Sequence, residues 1–442
     1  MKRILIKNGI LVNEDQQYAA DILVEGTYIA KIGTDLSHSH AEVIDAQGGF
    51  VFPGVIDDQV HFREPGLTHK GCIASESRAA VAGGTTSFME QPNTNPQTVT
   101  LEALEQKMAM GAASSVANYS FLLGGTNDNL EEIKRLDPRA TSGIKLFLGS
   151  STGNMLVDDP QVIEKIFRAT PLVISAHCED EATIRAQMAW AQETYGDQMT
   201  PELHPVIRNA EACYLSSSRA IALARATGAR LHVFHLSTGI EMDLLAPGPL
   251  KGKQITAEVC IHHLWFSDED YATKGNLIKW NPAVKSPADR EALWAGLLED
   301  RIDVIATDHA PHTWEEKNKP YAQAPSGGPL VQHSLVAMLD FVERGKISLN
   351  QVVRKMCHNP ADLFQVHKRG YLREGYYADI AVVQPKTWTV GKENIVAQCG
   401  WSPFEGQSFN FAVTHTLVNG HLAYNQGVIS SEIKGMRLTF DR

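Results

Sequence analysis

Polar side chains that can bind a metal or transfer a proton lie at the ends of several apolar segments of the chain. His61, Lys145, His177, His235 and Asp308 each follow or interrupt a short apolar run that is typical of a buried β-strand. Imidazole nitrogen and carboxylate oxygen together suit Zn²⁺, with Mn²⁺, Co²⁺ or Ni²⁺ as alternatives. Bound zinc lowers the pKa of water towards ~7, and a neighbouring aspartate can accept a proton and pass it on. The pattern therefore predicts metal-assisted hydrolysis of an amide, an ester or a similar bond.

Each of these residues also has an ordinary structural explanation. A single histidine at a strand end is more often a hydrogen-bonded structural residue than a ligand, and an aspartate after a strand often caps a helix. Lys145 is the exception, because it interrupts the apolar run 144–147 and a buried lysine is costly unless it is paired, neutralised or modified. Five such residues at equivalent positions indicate one shared metal site.

The elements that must position these side chains follow from the hydrophobic pattern. From Phe52 to about Val366, apolar segments alternate with amphipathic helices, and eight of the segments are strand candidates. The candidates are residues 54–62, 86–93, 117–123, 143–148, 172–178, 230–236, 255–264 and 302–308. Eight strand–helix units in one series predict an α/β fold, a parallel (β/α)₈ barrel of the TIM type, in which the carboxyl ends of the strands converge on one face.

Short alternating strands flank this region on both sides. They occur before residue 53 and after residue 366, where Asn419-Gly420 predicts a two-residue hairpin turn. We therefore expect a barrel formed by residues 53–366 and a small β-sandwich formed jointly by residues 1–52 and 367–442.

Composition excludes some classes of partner and favours one compartment. The 442 residues carry a formal net charge of −11 without a run of Lys or Arg, which disfavours nucleic-acid binding. Neither a signal peptide nor a membrane-spanning segment is predicted. The six scattered cysteines are typical of reduced thiols in a cytoplasmic protein. A small anionic substrate remains compatible, because one well-placed arginine can override a distant negative field.

Three motifs resemble those of a known family. Residues 53–66 (PGVIDDQVHFREPG), 91–96 (QPNTNP) and 307–312 (TDHAPH) are similar to the strand-1, strand-2 and strand-8 motifs of the dihydroorotases, which are cyclic amidohydrolases. The similarity continues to residues 402–406 (SPFEG), so it covers nearly the whole chain. It implies reversible hydrolysis of L-dihydroorotate to N-carbamoyl-L-aspartate, a step of pyrimidine biosynthesis, and a homodimer, which this family often forms.

The resemblance also implies a role for each candidate residue. Lys145 would be carboxylated and bridge two metals, His177 and His235 would hold one of them, and His61 and Asp308 would hold the other. Asp308 would also be the catalytic acid/base. The substrate carboxylate would be bound by Arg63, Asn93 and His312, and Asn281 would lie near the substrate ring.

Gln59 departs from the family pattern, which has a histidine at this position. A glutamine oxygen is neutral and a poorer zinc ligand than imidazole, so we expect at least one firmly held zinc and leave the second open. Two alternatives follow. A sister enzyme such as dihydropyrimidinase or allantoinase would share the metal ligands, and a non-catalytic partner of aspartate transcarbamoylase would account for the lost histidine.

Overall fold

The computed structural model describes residues 2–149, 155–430 and 432–442. Its strands are β1 Arg3–Asn13, β2 Gln16–Glu25, β3 Tyr28–Gly33, β4 Glu42–Asp45, β5 Phe50–Pro53, β6 Val55–Val60, β7 Thr85–Glu90, β8 Asn118–Phe121, β9 Leu123–Gly124, β10 Gly143–Phe147, β11 Val173–His177, β12 Arg230–Val233, β13 Ile255–Cys260, β14 Val304–Ala306, β15 Ile380–Thr389, β16 Ser408–Val418, β17 His421–Asn425 and β18 Val428–Ile429.

The α-helices lie mostly between these strands. They are α1 Ile73–Ala82, α2 Leu101–Ser114, α3 Leu130–Arg135, α4 Pro160–Ala169, α5 Glu181–Tyr195, α6 His204–Ile207, α7 Ala210–Thr227, α8 Ile261–Trp265, α9 Tyr271–Lys274, α10 Pro287–Leu298, α11 Trp314–Lys317, α12 Ser334–Glu343, α13 Leu349–Val353 and α14 Asn359–Phe364. Within the described residues, no helix is both long enough and apolar enough to cross a membrane.

Strands β6 to β14 form the predicted parallel barrel. The strands β6-β7-β8 pair in parallel, as do β9 to β14, and only Leu122 separates β8 from β9. The ring closes where the His61 amide donates to the His309 carbonyl oxygen over 2.7 Å. The predicted fold class is confirmed, and the carboxyl ends of the strands meet at one face of the barrel.

Several barrel strands end before the predicted segments do, and in β13 a helix replaces the last four predicted residues. We expected residues 255–264 to be extended, but β13 ends at Cys260 and α8 begins at Ile261. A short apolar run such as 261–264 fits a buried helix as well as a buried strand, so periodicity alone does not separate the two. The helix turns His262 and His263 into the protein, where both are buried.

The two terminal segments form one nine-stranded, mostly antiparallel sheet. Its order is β18-β17-β16-β15-β5-β1-β2-β3, with β4 beside β1, so β5 of the N-terminal segment pairs with β15 of the C-terminal segment. The predicted hairpin joins β16 and β17, and Asn419 and Gly420 both have the positive φ that such a turn requires. A separate apolar cluster that includes Ile6, Ile22 and Leu417 packs along this sheet.

The end of the chain lies against the barrel and not in the terminal sheet. The Leu438 amide donates to the Tyr119 carbonyl oxygen over 2.9 Å, and Phe440 bridges to Val366. Leu438 and Phe440 are buried in an apolar cluster with barrel residues. The division of the chain into barrel and terminal sheet at residues 52 and 366 therefore stays a proposal. The contact of Leu438 and Phe440 with the barrel was not predicted from the sequence.

Candidate active site

A single cavity of about 180 Å³ at the carboxyl ends of the barrel strands is lined by every residue that the sequence singled out for the site. These residues are His61, Arg63, Asn93, Lys145, His177, His235, Asn281, Asp308 and His312. The rest of the lining consists of Gln59, Phe147, Trp280, Ala310 and residues 325–327. The barrel thus brings together predicted site residues that are up to 251 positions apart in the sequence, from His61 to His312.

His177 and His235 form one pair of facing imidazoles. His177 Nδ1 lies 2.9 Å from His235 Nε2, and His177 Nε2 lies 2.8 Å from a carboxylate oxygen of Glu179. Because Glu179 can only accept, His177 carries its proton on Nε2 and directs the Nδ1 lone pair at His235. Burial opposes the charge of Glu179. The Arg208 guanidinium, 2.5 Å away, and His177 nevertheless hold the pKa of this carboxyl at about 2. Glu179 therefore stays ionised and orients His177.

His61 and Asp308 form the second pair. His61 Nδ1 donates to Asn93 Oδ1 over 2.8 Å, which leaves the Nε2 lone pair 3.1 Å from Asp308 Oδ1 when the imidazole is neutral. Burial is the main influence on His61 and lowers its pKa, which favours that neutral form. His61 Nε2 and Asp308 Oδ1 are then two hydrogen-bond acceptors that face each other. Asn93, which was predicted to contact substrate, therefore also fixes the orientation of a predicted ligand.

Lys145 is buried in the barrel next to aromatic rings. Its side chain is 1% exposed, and Nζ lies 3.9 Å from the ring centre of Phe234 and 4.9 Å from that of Phe147. Among the described residues, no carboxylate comes within ion-pairing distance of Nζ. Burial lowers the pKa of Lys145 to about 7. A large fraction of the amine is therefore neutral near pH 7, and the neutral form is the one that reacts with CO₂.

This donor set fits a divalent cation. His61 directs a lone pair at Asp308 and His177 directs one at His235, an arrangement that a bound cation would stabilise. In the described part of the chain, His235 Nδ1 is also buried without a hydrogen-bond partner. Gln59 adds a neutral oxygen, and the Cys260 thiol lies 3.6 Å from it. The residues present therefore fit a metal centre with fewer imidazoles on the His61 side.

Arg63 adds a buried guanidinium to the cavity lining. Arg63 is 7% exposed, its Nε donates to the Pro311 carbonyl oxygen over 3.0 Å, and its Nη2 lies 3.0 Å from His312 Nε2. Within residues 2–149, 155–430 and 432–442, no carboxylate is close enough to pair with this guanidinium. His312 Nε2 also lies 2.9 Å from the Ser326 carbonyl oxygen. Asn281 presents a buried amide oxygen that has no partner among these residues.

Sequence reasoning missed the backbone at three of the predicted residues. Arg63, His235 and Asp308 have φ of 74°, 40° and 48°, in the left-handed region that residues with a Cβ rarely adopt. Such conformations cluster at functional sites because the surrounding fold must hold them. No sequence pattern signals them. Glu179 was also missed, although its position two residues after His177 could have pointed to it.

Comparisons with known proteins show the family to which the chain belongs. Residues 50–423 match the model of the amidohydrolase family. A dihydroorotase of Halobacterium salinarum is 35% identical over 417 residues, which cover 93% of this chain and 94% of that protein. An allantoinase of Deinococcus radiodurans is 31% identical over 446 residues, which cover 98% of each. The solved L-hydantoinase (dihydropyrimidinase) of Arthrobacter aurescens has a TM-score of 0.93 at 28% identity and covers 99% of this chain and 100% of its own. The chain therefore belongs to the amidohydrolase family.

Proposed function

We propose that this chain is a metal-dependent hydrolase of cyclic amides that interconverts L-dihydroorotate and N-carbamoyl-L-aspartate. The observation that carries the substrate is Arg63, a buried guanidinium that lines the cavity and has no carboxylate partner among the described residues. A buried charge of this kind needs an anion, and a planar guanidinium binds a carboxylate through two parallel hydrogen bonds. L-Dihydroorotate carries such a carboxylate on its ring.

The proposed metal ligands are His177, His235, His61, Asp308 and a carbamate formed on Lys145 by addition of CO₂ to Nζ with loss of a proton. When bound, a zinc ion supplies Lewis acidity, which makes water a nucleophile at neutral pH. The comparison with the amidohydrolase family supports a metal, and the choice of zinc rests on the donor set.

The chain's own groups then orient the substrate and move the proton. Arg63 and His312 bind the ring carboxylate, and Asn281 accepts a ring N–H. Asp308 accepts a proton from the attacking water and returns it to the ring nitrogen as the carbon–nitrogen bond breaks. The water oxygen remains in the new carboxylate, and the released nitrogen belongs to the carbamoyl group. Trp280 and residues 325–327 line the cavity and exclude bulk water.

The candidate ring substrates differ in charge. The allantoinase and L-hydantoinase relatives support a neutral ring as the second candidate. A neutral ring leaves Arg63 without an anion, which is why we favour dihydroorotate. A non-catalytic partner of aspartate transcarbamoylase is supported only by Gln59, whereas the remaining ligand set argues for catalysis.

The test is turnover of L-dihydroorotate, dihydrouracil and hydantoin by the wild type and by Arg63→Met. We expect Arg63→Met to lower kcat/KM on dihydroorotate about 100-fold or more, as for the loss of one partner of a buried charge pair. Its activity on the two neutral rings is expected to change little. Arg78→Met, which removes an exposed arginine on α1, is the matched control and should behave as the wild type.

Each other outcome points to an alternative. Equal loss of turnover on all three rings would assign Arg63 a structural role and remove the support for an anionic substrate. Turnover of neutral rings alone by the wild type would favour the hydantoinase-like activity. A folded wild type without bound metal or turnover would favour the non-catalytic partner.

A further inference from the structure

A second group of ligand-type side chains lies inside the barrel, apart from the cavity lining. Asp58 of β6, His232 of β12 and Glu258 of β13 are each 0% exposed, and their ligand atoms lie within 4.8 Å of one another. His232 Nε2 is 3.3 Å from Asp58 Oδ2 and 3.3 Å from Glu258 Oε2. Two carboxylates thus share one imidazole nitrogen in the interior of the protein.

The hydrogen bonds around His232 determine which of its two ring nitrogens carries the proton in the neutral imidazole. Thr256 Oγ1 donates to the Leu231 carbonyl oxygen over 3.3 Å, so it accepts from His232 Nδ1, which lies 2.8 Å away. The neutral imidazole therefore carries its proton on Nδ1 and directs its Nε2 lone pair at both carboxylates. Three acceptors that face one another need a positive charge between them.

Unpartnered polar atoms surround the group. In the described residues, both oxygens of Asp58 are buried, and Oδ1 has no hydrogen-bond partner. Independently, Ser175 has a buried hydroxyl without a partner. Ser175 pairs with His232 in the parallel register of β11 and β12, so the two side chains project to the same side of the sheet. Ser175 is thus placed to add a fourth oxygen to the two carboxylates and the imidazole.

We propose that Asp58, His232 and Glu258 bind a divalent metal ion in the barrel interior, separate from the active-site centre. Two carboxylates and one neutral imidazole balance the two charges of the ion. Mixed oxygen and nitrogen donors suit zinc or manganese. Protons are the competing occupant, because a protonated imidazole and a protonated carboxyl would also neutralise the group.

The ion would join three strands beneath the active site. Glu258 also accepts from the His235 main-chain N–H over 3.2 Å, and His235 is the residue held at φ of 40°. An ion on Glu258 therefore stabilises the position of a proposed active-site ligand. The inference does not depend on which ring is hydrolysed.

The experiment counts metal in a background that lacks two of the five proposed active-site ligands. In the double variant His61→Ala/His177→Ala, mass spectrometry of protein from zinc- and manganese-supplemented medium should find one ion per chain. Adding Asp58→Asn should remove that ion. Adding Asp57→Asn, a buried carboxylate next in sequence that bonds to Thr307, should leave it in place.

Two results would overturn the proposal. A background variant that folds without metal, or a count that Asp58→Asn leaves unchanged, would mean that the group holds only protons. Circular dichroism and thermal melting establish that each variant is folded, and Glu258→Gln replaces Asp58→Asn if the latter does not fold. Because the ion is counted without substrate, failure of the proposed function would show separately, as absent turnover in the wild type.

Discussion

At the residue scale, the ligand types and their approximate places could be predicted, whereas their orientation could not. Eight of the nine predicted residues lie on or shortly after barrel strands, and the structure gathers them because parallel strands direct their carboxyl ends to one face. Asn281 instead lies between α9 and α10. The partners that orient them, such as Glu179 for His177 and Asn93 for His61, depend on distances that no spacing encodes.

Gln59→His tests the weakened side of the metal centre. An imidazole in place of the amide supplies a better zinc ligand beside His61 and Asp308, so we expect the metal content to rise by about one equivalent. Elemental analysis of matched preparations gives the count. Gln91→His, at a buried glutamine directly after β7, is the control and should add none. An unchanged count in folded Gln59→His would mean that this side already binds its ion fully.

Glu179→Gln tests the orienting role of a residue that the sequence did not reveal. The amide can present its NH₂ group to His177, which allows the wrong tautomer, and loss of such a partner typically weakens metal binding 10–100-fold. Competition with a chelator measures this affinity. Glu181→Gln, two residues further on, should retain wild-type affinity, and equal affinity in both variants would contradict the role.

At the scale of elements, the segment after β14 is held more firmly than glycines at 327 and 328 suggest. Lys317 is 1% exposed, and its Nζ donates to the carbonyl oxygens of Lys279, Pro325 and Gly327 over 3.3, 2.9 and 2.8 Å. Lys279 in turn donates to two carbonyl oxygens of the same segment. Buried lysines bound to carbonyl oxygens give no periodic signal, so sequence reasoning had no means of finding this arrangement.

Lys317→Met should loosen this segment. Methionine fills the space but removes the Lys317 donor from three carbonyl oxygens, of which, in the described residues, only that of Lys279 still accepts, from the Gly327 amide over 2.8 Å. We therefore expect the free energy of unfolding to fall by about 1–3 kcal/mol. KM should rise more than kcat falls, because residues 325–327 line the cavity. Urea unfolding and steady-state kinetics measure both effects. Lys319→Met, at an exposed neighbour, is the control, and a Lys317→Met variant indistinguishable from it would refute the role.

At the scale of the whole molecule, the hydrophobic patterns of the sequence predicted the barrel and the sheet formed by the two terminal segments. They did not predict the contacts that connect the barrel to this sheet. The buried carboxylate of Asp379 accepts from Arg369, from the Asn118 side chain of β8 over 3.1 Å and from the Asn419 amide over 2.8 Å. A barrel strand, the approach to β15 and the β16–β17 hairpin thus meet at one charge.

Asp379→Ala should destabilise both parts together. It leaves Arg369, which is 4% exposed, without the anion that neutralises it, and we expect a loss of about 3–5 kcal/mol. Calorimetry should show one transition at a lower temperature. Two separate transitions would mean that the barrel and the sheet unfold independently. Asp128→Ala, at an exposed position, should leave the transition unchanged.

The pairing of β5 with β15 has a consequence for synthesis on the ribosome. Phe50 pairs with Val383, so about 330 residues must be translated after β5 emerges before its partner exists. At 5–20 residues per second this takes roughly 16–65 s. Throughout that interval one edge of β5 is open to other chains, and an unpaired apolar edge of this kind promotes aggregation. The nascent protein is therefore expected to need chaperone protection until its last strands are made.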